Sequence, residues 1–199
     1  MHRLEFYFDC SSPWTYLAFE RALAMFEGEV EFVWKPILVG GVFNTVNPGV
    51  YETRANPVPA KLDYSHKDLK DWANLAGVVI GQPPVFPVNS VKAMRGAFFA
   101  LEQGALVPYA RSVFKRYWTD FADISQEDEL RAIVAGVGLD AGAFFAAIAT
   151  QPYKDKLREV TDELIGRGGF GSPTMYLDGD DMYFGNDRLE LIRACLDRP

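Results

Sequence analysis

The chain is poor in the residues that most often announce chemistry. It has two cysteines and two histidines in 199 residues. Cys10 and Cys195 sit at opposite ends, the pattern of two reduced thiols rather than of a disulfide framework. His2 and His66 stand apart from each other and from any ligand-like spacing, so no metal centre is expected. Positive charge is scarce as well: 20 lysines and arginines face 27 acids, giving a formal charge of −7, and no basic run occurs. Nucleic acid and anionic membrane surfaces are therefore excluded as expected partners. No apolar run is long enough to span a bilayer. The first residues read as a strand, without the charged-then-apolar pattern of a secretory leader, so the expected location is cytoplasmic.

What is plentiful is apolar. The composition is 49% hydrophobic and 14% aromatic, enough for a sizeable core. The length suits one domain, or one domain carrying a large insertion.

Leu4 to Asp9 alternates, with Leu4, Phe6 and Phe8 on one face and Glu5, Tyr7 and Asp9 on the other, and predicts a strand. Pro13 to Glu27 predicts a helix. Glu29 to Lys35 alternates again and stops at Pro36, which completes a strand–helix–strand unit with parallel strands. Val39 to Ala60 has no clear period and repeated Gly, Asn and Pro, and reads as a long loop. A helical block follows: Asp68 to Leu75 ending at Gly77, Asn89 to Glu102, Tyr109 to Thr119, Gln126 to Val137, Ala141 to Thr150 and Pro152 to Arg167. Thr174 to Asp178, a turn at Gly179-Asp180, and Met182 to Phe184 then read as a hairpin. Asn186-Asp187 can cap a last helix from Arg188 to Leu196. The two ends must share a sheet to bury their faces, so the expectation is a split α/β domain, residues 1–62 and 168–199, around a helical insertion, 63–167.

Two short segments carry chemistry. Ser12-Pro13-Trp14-Thr15 follows the first strand directly and opens the first helix, with Ser12 at the cap and Pro13 at the first helical position. A helix start of this kind presents free N–H groups and a positive dipole end to an anion, a thiolate included. The second segment is Gly168-Gly169-Phe170-Gly171-Ser172-Pro173-Thr174, where Pro173 opens a strand and a cis Ser172–Pro173 bond is expected.

The pair resembles the thioredoxin fold, in which an active-site turn at the first helix faces a cis-proline loop. The helical block between the two ends resembles the DsbA-like branch. Ser12 and Thr15 stand where that branch has its two redox cysteines, so disulfide chemistry is not expected, and Cys10 reads as a small buried residue. The wider text resembles the 2-hydroxychromene-2-carboxylate isomerase family and the related kappa-class glutathione transferases. The matching segments are Phe6-Tyr7-Phe8-Asp9-x-x-Ser12-Pro13-Trp14-x-Tyr16-Leu17, Lys35 to Phe43, Phe86 to Arg95, Phe170 to Thr174 and Phe184 to Glu190. They run in family order over almost the whole chain.

The resemblance implies reduced glutathione as cofactor and a small aromatic or 2-oxo acid substrate. Ser12 would hydrogen-bond the glutathione sulfur and hold it as thiolate. Pro13 and Trp14 would complete that turn, and Ser172 before Pro173 would pair with the tripeptide backbone. Asn186 and Asp187 would take the γ-glutamyl end, with Asp187 on its ammonium. Asn47 or Asn56 would contact glutathione, together with Lys61 in a Pro-x-Lys-like stretch. The family's isomerases usually carry a lysine after Gly-Gly-x-Phe; Asn44 stands there, and it and Asn89 are the expected substrate contacts. The resemblance further implies a homodimer. The alternatives are a kappa-like transferase with the same site and a non-catalytic thioredoxin-fold binding protein.

Overall fold

A computed structural model describes residues 1–198. The sheet has four strands in the order β2-β1-β3-β4, formed by β1 (His2–Phe8), β2 (Val30–Pro36), β3 (Thr174–Leu177) and β4 (Asp181–Phe184). β1 runs parallel to β2, with Leu4 opposite Phe32, and antiparallel to β3, with Leu4 opposite Leu177. The two ends of the chain therefore share one sheet, a DsbA-like thioredoxin fold.

β1 is central and buried on both faces from Leu4 to Phe8. Phe6 and Phe8 both pack on Trp34, and Phe8 also packs on Phe19 of α1 (Pro13–Phe26). Each such phenyl ring contributes roughly 1.5–3 kcal/mol by leaving water. Tyr7, on the opposite face, packs with Ile37, Val42, Leu164 and Tyr176. The polar face of β1 is thus covered too. Glu5 survives there by pairing with Arg3 and Arg167.

The segment from Val39 to Ala60 is not a loop. It forms α2 (Val39–Val46) and α3 (Gly49–Ala55), and α4 (Pro59–Ala76) begins within it. Tertiary contacts override the weak propensity of Gly40 and Gly41. The Leu38 N–H donates to Thr161 Oγ1 at 3.0 Å, and the Val39 N–H donates to Asp9 Oδ2 at 2.9 Å. Asp9 so caps α2 from another element, which no local pattern could reveal. Gly77 ends α4 at φ 68°, as its place in the sequence predicts.

Helices α5 (Val91–Glu102), α6 (Leu106–Trp118), α7 (Glu127–Gly136), α8 (Ala141–Ala149) and α9 (Gln151–Gly166) follow in the expected order. α5 is their hub. A Cβ at Gly96 would overlap the Phe144 ring and the Tyr109 hydroxyl, so only glycine lets α6 and α8 approach it there. After β4 the chain makes a 3-10 turn over Asn186–Arg188, and α10 (Leu189–Leu196) starts one residue later than expected. Neither Asn186 nor Asp187 caps it with a side chain. No helix among the described residues is long and apolar enough to cross a membrane.

Candidate active site

The Ser172–Pro173 bond is cis, as expected, and so is Phe86–Pro87. The residue before Pro173 meets the head of α1. Ser12 Oγ accepts the Thr15 N–H at 3.2 Å, the expected N-cap, and donates to the Ser172 carbonyl at 3.2 Å. Pro13 has no N–H, and the Tyr16 N–H goes to the Ser12 carbonyl at 3.2 Å. Among the described residues that leaves the Trp14 amide as the free donor of the first turn. Ser172 turns its side chain inward, where Oγ accepts the Asp9 N–H at 3.1 Å and lies 2.8 Å from Thr15 Oγ1. Its own N–H has no partner among the described residues.

Above this junction lies a mostly apolar cleft of about 820 Å³, within the range of small-molecule sites. Ser12, Pro13, Trp14, Asn44, Asn47, Asn89 and Ser172 line it. Asn47 Nδ2 donates to the Phe170 carbonyl at 3.2 Å, Asn44 Oδ1 accepts the Tyr51 hydroxyl at 2.9 Å, and Asn89 Oδ1 accepts the Val91 N–H at 3.1 Å. Asn56, Lys61, Pro173, Asn186 and Asp187 do not line it. Asn56 and Lys61 are exposed at the end of α3 and the start of α4. Asn186 is buried, and its Oδ1 and carbonyl both accept from Arg21, at 2.9 and 2.8 Å. Asp187 is half exposed and pairs with Arg188 at 3.2 Å.

Two features of the cleft escape sequence reading. Asp9 lies fully buried in its floor, accepting from the Ser11 and Val39 amides and the Ser90 hydroxyl. Burial pushes its carboxyl above the usual aspartate range, against the pull of those donors. An acid ending a strand just ahead of a Ser-Pro cap was the available signal. The second is Arg54 with its flanking Phe43 and Phe86, two of which fall in the stretch that showed no period. Cys10, at 1% exposure, has its thiol pushed well up by burial and by the Asp9 charge. It is no nucleophile. Among the described residues no group of three potential ligands could hold a metal ion.

A family model described as a DSBA-like thioredoxin domain matches residues 3–197. The 2-hydroxychromene-2-carboxylate isomerase of Pseudomonas sp. (strain C18) is 30% identical, over 97% of this chain and 89% of that protein. Glutathione S-transferase kappa 1 of Homo sapiens is 28% identical, over 97% of this chain and 90% of its own. A solved 2-hydroxychromene-2-carboxylate isomerase superposes with a TM-score of 0.80 at 29% identity, covering 98% of this chain and 94% of that one. The chain therefore belongs to the DSBA-like thioredoxin family, and its full-length relatives include 2-hydroxychromene-2-carboxylate isomerases and kappa-class glutathione transferases.

Proposed function

We propose that the chain is a glutathione-dependent isomerase of the 2-hydroxychromene-2-carboxylate type, acting on an aromatic 2-oxo acid or its cyclic hemiketal. The observation that carries the reading is the Ser12 hydroxyl. It stands at the head of α1, against the Ser172 carbonyl, and lines a mostly apolar cleft whose lining has no cysteine. A site with thiolate-stabilising donors and no thiol of its own suits a thiol brought by a ligand.

The donor set fits a cysteinyl peptide. The unpaired Ser172 N–H and its carbonyl suit an extended backbone. The Trp14 amide and the α1 dipole favour an anion beside Ser12. Held there by Ser12, Trp14 and Ser172, glutathione would supply a thiolate for reversible addition to a conjugated carbon and would not be consumed. Ser12 holds that sulfur ionised by turning its one hydroxyl proton from the Ser172 carbonyl to the thiolate, which also frees that carbonyl for the tripeptide backbone. Asn47 lines the cleft and Asn56 does not, which favours Asn47 as the polar contact to the tripeptide. Asp187 and the Lys61 ammonium are assigned to its ends, outside the reacting centre.

Asn44 favours a second reading. It stands where the isomerases usually have a lysine, and its amide oxygen is taken by Tyr51. A transferase releasing a glutathione conjugate would use the same head of α1. Conversion of 2-hydroxychromene-2-carboxylate with glutathione at a small fraction of the substrate concentration separates the two. Complete isomerisation with glutathione recovered supports the proposal. Stoichiometric loss of glutathione selects the transferase, and no conversion of any kind overturns both.

A further inference from the structure

We propose that Arg54 is the carboxylate receptor of the cleft, and so selects substrates that are aryl carboxylates. The substrate class rests on the isomerase reading, but the residue and its role come from the cleft itself. Arg54 lies in the last turn of α3, a helix that buries no side chain, so nothing in the core demands an arginine there. Its guanidinium sits 5.5 Å from the centroid of the Phe43 ring and 5.3 Å from that of Phe86. All three residues line the cleft.

The guanidinium has no acid. Arg21, Arg111, Arg116, Arg167 and Arg193 each hold a carboxylate, whereas Arg54, like Arg95 and Arg131, makes no ion pair or hydrogen bond among the described residues, and of these three Arg54 alone lines the cleft. In a chain of net charge −7 this is a cation left without the commonest available partner. The one carboxylate in the cleft lining, Asp9, does not neutralise it. Asp9 is fully buried, and its oxygens are taken by Ser11, Val39 and Ser90.

Two phenyl rings within cation–π range bias where the exposed guanidinium sits, and its N–H groups are left without a hydrogen-bond partner among the described residues. A free guanidinium edge matches a carboxylate with two parallel hydrogen bonds. The walls supply the rest of the preference. Phe43 packs edge-on to Tyr51, and Phe86 packs on Trp118, with centroids 6.3 and 6.1 Å apart. Trp118 Nε1 donates to the Cys10 carbonyl at 2.9 Å, two residues before Ser12. An aromatic surface thus leads from Arg54 to the head of α1. Phe86 is left 50% exposed beside the cation, and a flat aryl group lying on it would cover that ring.

The test compares trans-cinnamate with its uncharged amide, cinnamamide, by calorimetry on the full chain without glutathione. The wild type should bind the acid about 10- to 100-fold more tightly, the range of a charge-assisted pair. Arg54→Met should abolish that preference by weakening the acid alone, and Arg54→Lys should keep part of it. Circular dichroism checks folding, and the wild-type preference needs no variant at all. No binding of either probe, equal binding of both by the wild type, or an undiminished preference in a folded Arg54→Met would each overturn the assignment. Because glutathione is absent, failure here is distinct from failure of the isomerase reading. A protein that binds cinnamate through Arg54 yet turns nothing over with glutathione keeps this inference and loses that one.

Discussion

The Thr15 and Ser172 hydroxyls meet at 2.8 Å in the buried floor of the cleft, although 157 residues separate them. Ser172 Oγ also takes the Asp9 N–H at 3.1 Å, so one side chain ties the end of β1, the head of α1 and the loop before β3. The geometry of Ser12 against the Ser172 carbonyl depends on this tie. The side chain does the clamping while the N–H of the same residue keeps no partner among the described residues.

Ser172→Ala should therefore destabilise the fold while leaving the Ser172 carbonyl in place. It strands the Asp9 N–H and the Thr15 hydroxyl, both buried, at a cost of about 1–3 kcal/mol. Denaturant unfolding should show a lower midpoint at unchanged slope. A midpoint equal to wild type would mean that water replaces the lost hydroxyl.

Ser12 has two roles that substitution can separate. Ser12→Ala loses both the cap and the hydroxyl, whereas glycine is itself a tolerable cap. Ser12→Ala should cost about 0.5–2 kcal/mol of stability and Ser12→Gly only a few tenths. Both should raise the thiol pKa of bound glutathione, since each removes a charge-assisted hydrogen bond. Thiolate absorbance against pH reads this directly. An unchanged thiol pKa in both variants would reduce Ser12 to a helix cap.

The contrast between these residues and the rest of the site shows what a sequence can carry. Ser12-Pro13 and Ser172-Pro173 were legible because each is a local device, a helix cap and a proline turn, and strand order alone brings them together. α2 was not legible, because its start is held by Asp9 and Thr161 from other elements. Arg54 was hidden for the same reason: its meaning comes from Phe43 and Phe86, which only the fold brings beside it. Asn186 read as a cap and is instead the acceptor for Arg21, whose guanidinium also lies 4.5 Å from the Trp72 ring centroid. Side chains whose partners are remote look ordinary in sequence.

Asp9 should leave a mark on the pH dependence of stability. Its carboxyl is raised by burial, so the native state binds its proton more tightly than the unfolded chain does. Raising the pH from the ordinary aspartate range through the raised value therefore weakens the fold. Glu163, raised by burial but held low on balance by hydrogen bonds from Tyr7 and Lys35 together with the Lys35 and Arg167 charges, acts in the opposite sense on acidification. The difference between wild type and Asp9→Asn isolates the first effect. Relative to the variant, the wild type should lose stability as pH rises across that window. A difference independent of pH would show that Asp9 ionises normally.

Asp187→Asn should weaken glutathione binding and spare stability. Capping no longer competes as an explanation, since the Asp187 side chain makes no cap hydrogen bond and its carboxylate is half exposed beside Arg188. The exposed Arg188 pair contributes little, because surface ion pairs are worth about 0–1 kcal/mol. The proposed partner, the γ-glutamyl ammonium, lies far from the reacting sulfur. Loss of that contact removes binding equally from the ground and transition states, which raises the KM for glutathione at nearly constant kcat. The bound thiol pKa should stay at the wild-type value, in contrast to Ser12→Ala. Wild-type KM in Asp187→Asn would remove Asp187 from the glutathione site and leave Ser12, Trp14 and Ser172 to hold the tripeptide.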